Sequence, residues 1–185
     1  MEGAPQMPIS DNELAALFLN FSRKTLFEQS WPRIKECVAP LTEEQIWWRP
    51  NPASNSIGNL RLHLNGNMRQ WIVASFNKDE DKRNRPQEFA AQGGLSADEL
   101  LARLGATLDE AARVLDRLTV EELLAPYEIQ GYHVRGLDAV YQVVAHVALH
   151  FGQIAYIAKS LTGKDLGFHK ELNKTGRAES SKSQF

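Results

Sequence analysis

Apolar residues recur every three or four positions along four stretches of this chain, and that spacing predicts four long amphipathic helices. The first opens at Ser10, with Glu13 placed to close a capping box. It carries Leu14, Leu17, Phe18, Phe21, Leu26 and Ile34 on its apolar face and ends near Val38. Trp31-Pro32 predicts a kink within it. The second runs from about Ser56 to Phe76, with Ile57, Leu60, Leu64, Met68 and Trp71 on one face and His63 at its rim. The third opens at Ser96 with Glu99 as cap and repeats Leu100, Leu104, Leu108, Ala111 and Leu115. The last runs from about Leu137 to Leu161 and stops at Thr162-Gly163, a usual C-terminal signal.

Between them lie shorter elements. Thr42 with Gln45, and Thr119 with Glu122, each cap a short helical turn. Tyr127 to Val134 alternates weakly around Gln130-Gly131 and reads as a small hairpin before the last helix. Asn77 to Gly94 is a long polar connection, of a length that suits a segment crossing the end of the fold or lining a site. The implied fold class is all-α: a four-helix bundle whose uneven connections argue against simple up-down-up-down topology. One domain is expected over residues 10–163, with 1–9 and 173–185 as flexible termini.

Charge narrows the function. Lys+Arg total 21 against Asp+Glu 23, so no basic excess argues for nucleic acid. From Ala139 to Ala158 there is no charged residue, but two histidines, two glutamines and a glycine would be costly against lipid. A buried central helix, shielded by its own domain or a partner subunit, is expected instead of a membrane span. The single Cys37 cannot form an internal disulfide, and the first residues do not read as a secretory signal, so a cytoplasmic location is expected. Cys37 and the four tryptophans read as core or interface residues. Lys78 to Arg85 reads as a solvated loop, with Arg83 and Arg85 as the alternative contacts for an acidic thiol.

The candidate chemistry sits in Gln142 to Gln153. His146 and His150 are four apart and share a helix face, with Gln142 and Gln153 in the same arc, about 80° wide at 100° per residue. Two imidazoles one turn apart can share a metal ion, and a third from another helix would leave an open position. His63 is the best remaining candidate for that third; His133, in the hairpin, and His169, beyond the last helix, are less favoured and can border the site. Asn67, Gln142 and Gln153 are candidates to orient these groups, and Asn67, Gln142 or His133 to close the site as a fourth ligand. A zincin motif is excluded because Val147, not Glu, follows His146. A carboxylate-bridged di-iron site is disfavoured, because no Glu-x-x-His pair lies on facing helices.

The stretches Ser56-Ile-Gly-Asn-Leu-Arg-Leu-His63-Leu-Asn-Gly-Asn and His146-Val-Ala-Leu-His150-Phe-Gly-Gln153-Ile carry a resemblance to the DinB-like superfamily. That superfamily includes bacillithiol transferases and mycothiol-dependent maleylpyruvate isomerases. Asp81-Lys-Arg-Asn-Arg-Pro-Gln-Glu-Phe89 resembles a subgroup of unassigned function, and the similarity in pattern spans roughly Ser10 to Gly163. The resemblance implies a four-helix bundle, often homodimeric, with a divalent ion on His63, His146 and His150. Imidazole ligands suit zinc, nickel, copper and iron alike, and zinc or nickel is expected. It also implies transfer of a low-molecular-weight thiol to an electrophilic small-molecule substrate. Alternatives are a thiol-dependent isomerase and a non-catalytic metal-binding stress protein. No residue is singled out as catalytic.

Overall fold

Helix start signals are met at the side-chain level in the computed structural model, which describes residues 9–170. The Ser10 hydroxyl accepts the Glu13 N–H, without the reciprocal bond that would complete a capping box. Thr42, Ser56, Ser96 and Thr119 form complete boxes with Gln45, Asn59, Glu99 and Glu122. Each box satisfies two amide donors that a helix start leaves orphaned.

The first long helix joins Asp11–Arg23, a π-helical stretch Lys24–Ser30, and Trp31–Val38. The expected kink is instead this widened stretch. Pro32 has no N–H to give and its ring would press on the carbonyl four residues back. The Trp31 N–H reaches back five residues to the Leu26 carbonyl, which opens the turn ahead of the proline. The second long helix is Ile57–Met68, a π-helical stretch Arg69–Ala74, and Ser75–Asn77, ended by Lys78 at φ 61°. The third is Ala97–Arg117 and the last is Gly136–Thr162, ended by Gly163 at φ 64°. Short helices occupy Glu43–Trp47, Arg85–Ala90 and Val120–Leu124.

The first helix departs from its predicted face. Leu14, Leu17 and Phe21 are exposed, whereas Leu26 and Ile34 are buried as predicted and Leu19, Ser22 and Ser30 turn inward with them. The Ser22 hydroxyl bonds back to the Phe18 carbonyl, so a small polar residue can be buried with its donor satisfied. The apolar stripe is therefore wider than the face the core covers. In the other three helices the predicted faces are buried, through Leu60, Leu64, Met68, Leu104, Ala111 and Leu115 and the Ala139-Val143-Val147 row of the last helix.

The second helix packs against both the third and the last, and the first packs mainly against the last and more lightly against the third. The hairpin is present: Pro126–Ile129 pairs antiparallel with Tyr132–Arg135, Tyr127 opposite Val134. Its turn residues Gln130 and Gly131 have φ of 56° and 80°. Two positive φ values are what a two-residue turn of the type favoured by strand twist requires. The Gln130 side chain accepts a bond from the Trp71 indole, tying the hairpin tip to the second helix. Among the described residues the regular elements are thus helices and this one two-stranded sheet, consistent with the expected all-α class. Among the described residues no helix is long and apolar enough to cross a membrane. Residues 1–8 and 173–185 of the predicted flexible termini lie outside the described residues.

Candidate metal centre

His63 projects from the buried face of the second helix, while His146 and His150 project one turn apart from the flank of the last. Packing of those two helices brings all three together: one ring nitrogen from each lies within 4.8 Å of the others. Nε2 of His63 and Nε2 of His146 are 2.8 Å apart. His63 is buried and the other two are half-buried. No fourth His, Cys, Asp or Glu belongs to the group among the described residues. His133, exposed on the second strand opposite Glu128, and His169 stand outside it.

The rim of the second helix around His63 is polar, and each polar group there is buried: Asn59, His63, Asn67 and Gln70. The side chain that organises the rim is Glu88, which sequence reasoning passed over. Its carboxylate lies 2.9 Å from Nδ1 of His63 and is gripped by Arg83 through Nε at 2.7 Å and Nη2 at 2.9 Å. The Arg83 side chain is only 4% exposed, so the Lys78–Arg85 segment is not simply a solvated loop. Its arginine folds inward because a buried carboxylate needs a paired cation. A usable signal was present in Asn84-Arg-Pro86: the Asn84 side chain caps the short helix and proline sits in its first turn.

These partners fix the imidazole tautomers. A carboxylate only accepts, so His63 Nδ1–H donates to Glu88 and its Nε2 carries the lone pair. Arg83 Nη2, 3.1 Å from the same Nδ1, therefore makes a contact there and not a bond. His150 Nδ1 lies 2.6 Å from Oε1 of Gln153 and donates to it, leaving Nε2 as a buried acceptor with no protein partner. Both rings present an unprotonated Nε2 to the cluster, that of His63 accepting the Nε2–H of His146 at 2.8 Å and that of His150 without a partner. The unprotonated nitrogen is the form in which imidazole holds a metal ion.

Gln153 thus holds the His150 ring through this bond. Asn67 and Gln142 line a cleft beside the cluster, each with a side-chain oxygen that lacks a protein partner. The cleft holds about 620 Å³ and is walled by Trp71, Arg85 and the hairpin residues Gln130, Tyr132 and Val134, with His63 and His146 also among its lining. Arg85 lies over the Phe89 ring, 4.9 Å from its centroid. The Trp47 indole N–H donates to the Leu95 carbonyl, and neither Trp47 nor Trp48 lines the cleft. Cys37 is buried away from it, its thiol pushed up to about 11 by burial and by Glu36.

Burial, followed by the neighbouring His150 and His63, lowers the His146 pKa from 6.5 to about 4. His150 is also lowered, chiefly by burial. Burial pushes the Glu88 carboxyl up, but hydrogen bonds from Arg83 and His63 outweigh it and leave it below its ordinary value. A depressed histidine pKa means that the unfolded chain takes up the proton first. That contribution to stability is present above about pH 6.5 and lost as pH falls toward about 4. Metal-free protein should therefore lose urea resistance over that interval by more than its His146→Gln variant does. Equal losses in paired urea titrations at pH 7 and pH 4.5 would contradict this origin.

Fold and cluster together define a helical protein with three histidines that could hold a metal ion. Residues 13–169 match the family described as protein of unknown function (DUF1572), and the chain belongs to that family. It is similar to a solved structure, the conserved protein of locus from Enterococcus faecalis, with a TM-score of 0.67 and 19% identity. That likeness covers 78% of this chain and 97% of the other, and at this identity it is a likeness of fold. No curated protein matches the chain.

Proposed function

We propose that this protein is a divalent-metal-dependent enzyme built on a DinB-like four-helix bundle, with His63, His146 and His150 as the metal ligands. Its reaction is transfer of a low-molecular-weight thiol to an electrophilic small molecule. The observation that carries the reading is the convergence of three ring nitrogens beside an open cleft, with no fourth His, Cys, Asp or Glu in the group among the described residues. Tetrahedral bonds of about 2.0–2.1 Å place ligand atoms roughly 3.3 Å apart. The His63–His146 separation of 2.8 Å and the outer limit of 4.8 Å bracket that spacing. The bare Nε2 of His150, buried without a partner, is the orphan such an ion would satisfy.

Held by His63, His146 and His150, a divalent ion would keep its full charge and would supply Lewis-acid activation of a thiol. The chain supplies the rest. Trp71, Tyr132 and Val134 form an apolar wall that limits water, and Arg85 offers a cation to an anionic group of the thiol or its acceptor. Arg83 is occupied by Glu88 and is removed from that role. A thiol-dependent isomerase would use the same residues, and rearranged product of unchanged mass would identify it. A non-catalytic metal-binding role is favoured by the unpartnered Asn67 Oδ1 and Gln142 Oε1, either of which could close the site. The test is metal content per chain by plasma mass spectrometry, followed by thiol conjugation assays on the loaded protein. One ion per chain and a thiol adduct support the reading. No ion, or an ion retained in His146→Ala, overturns it.

The protein is also proposed to be a homodimer. Tyr141, Leu149 and Tyr156 on the outer side of the last helix are 63%, 61% and 74% exposed, in a stretch with no charged residue. A helix of about 20 residues offers a strip roughly 30 Å long, which with flanking residues can reach the ~800 Å² per partner of a standard interface. Leu149→Glu with Tyr156→Glu should turn a dimer into a folded monomer by light scattering. A wild-type monomer at micromolar concentration would end this proposal.

A further inference from the structure

The short helix Arg85–Ala90 is clamped to the second helix more firmly than a connecting segment requires. The Asn59 amide donates to the carbonyls of Glu88, at 2.9 Å, and Ala91, at 2.8 Å. Arg49 donates to the carbonyls of Phe89 and Ala91 and to Oδ1 of Asn59. These bonds satisfy carbonyls that a helix C-terminus leaves open. They also fix two side chains against His63: the Phe89 ring, 4.7 Å from the imidazole centroid, and the Glu88 carboxylate on Nδ1. Room for Glu88 exists because position 66 is glycine. A Cβ on Gly66 would collide with Oε1 of Glu88 and stand 2.9 Å from Nε of Arg83. Arg83 is held in turn by Gln70, whose amide oxygen accepts from Nη1 at 2.8 Å.

The geometry points to Glu88 as a positioning residue for the metal site, locked by Arg83, that holds His63 in the Nδ1–H tautomer and turns its Nε2 lone pair toward the cluster. The inference rests on the proposed metal role of the three histidines and deepens it. A carboxylate behind a ligand imidazole fixes ring orientation and raises ligand basicity, and its loss commonly costs about 10–100-fold in metal affinity. Here the carboxylate comes from the connection between the second and third helices, not from the helices that carry the histidines. The segment that reads as a linker is therefore the outer half of the site.

Glu88→Gln separates chemistry from packing. The amide keeps the shape but replaces one acceptor oxygen with a donor. That NH2 group must face either His63 Nδ1, which then has to accept and carry its proton on Nε2, or the donors of Arg83. Nitrogen-15 NMR of the metal-free protein reads the His63 tautomer directly. Nδ1–H is expected in wild type and in Arg83→Met, which keeps the carboxylate but frees it. Nε2–H, or a mixture of the two forms, is expected in Glu88→Gln. Zinc affinity by chelator competition should fall about 10–100-fold in Glu88→Gln and less in Arg83→Met. An Nδ1–H His63 in Glu88→Gln, with zinc affinity within twofold of wild type, overturns the proposal. Wild-type protein that takes no zinc overturns the metal reading instead, and the tautomer comparison still decides whether Glu88 sets the His63 proton.

Discussion

Zinc or nickel added to metal-free protein is expected to raise the melting temperature by roughly 5–10 °C, and His63→Ala is expected to abolish the rise. A ligand at 100 times its dissociation constant stabilises the folded state by about 2.7 kcal/mol. In a chain of this length each kcal/mol moves the midpoint by about 2–4 °C. His63 is the decisive position because it alone joins the second helix to the pair on the last. Without it, His146 and His150 remain one turn apart, and two imidazoles from one helix hold an ion far less well than three. The variant also leaves Glu88 and Arg83 paired with each other, so the fold should survive the change. A thermal shift of equal size in His63→Ala would place any bound ion elsewhere.

Gly136→Ala should be among the most damaging single substitutions in the chain, lowering the melting temperature by about 6–12 °C. Gly136 opens the last helix, and its N–H bonds the Ala125 carbonyl at 3.1 Å, where the hairpin closes. An added Cβ would overlap the carbonyl oxygen of Glu122 and approach the Leu123 Cα and the Phe76 ring at 3.1 Å each. The demand is for space and not for an unusual backbone angle, since Gly136 is not among the glycines with positive φ. Two of the three neighbours are backbone atoms of the short helix Val120–Leu124, which cannot rotate away as a side chain can. Overpacking costs about 1–3 kcal/mol, and immobile neighbours put this site at the upper end. Differential scanning calorimetry decides it; a midpoint within 2 °C of wild type would show that the junction yields.

What could be read from sequence was what is local. Capping boxes join residues three apart, the hairpin turn needs Gln130-Gly131 alone, and the His146–His150 pair follows from helical geometry. His63 joined them through resemblance, since spacing could not choose among the remaining histidines. Glu88 and Arg83 were missed as partners because they meet His63 across 25 and 20 positions of chain, through a polar segment that carries no periodic signal. The first helix was turned wrongly ahead of Leu26, because Ser22 faces the core and apolar side chains flank it on both sides. Pattern reading assumes that polarity marks the outside, and an internally satisfied serine breaks that assumption.

The π-helical stretch Arg69–Ala74 lies beyond His63 in the same helix. Such a stretch amounts to one extra residue absorbed without breaking the helix. Ahead of it, the phase of His63 is counted from Ser56 and its cap; behind it, Trp71 and Phe76 meet the core on a shifted count. The helix is therefore divided into two independently phased parts. Changes of length past Met68 can be accommodated with His63 still aimed at the last helix, whereas a single residue gained or lost between Ser56 and His63 would swing it away by about 100°.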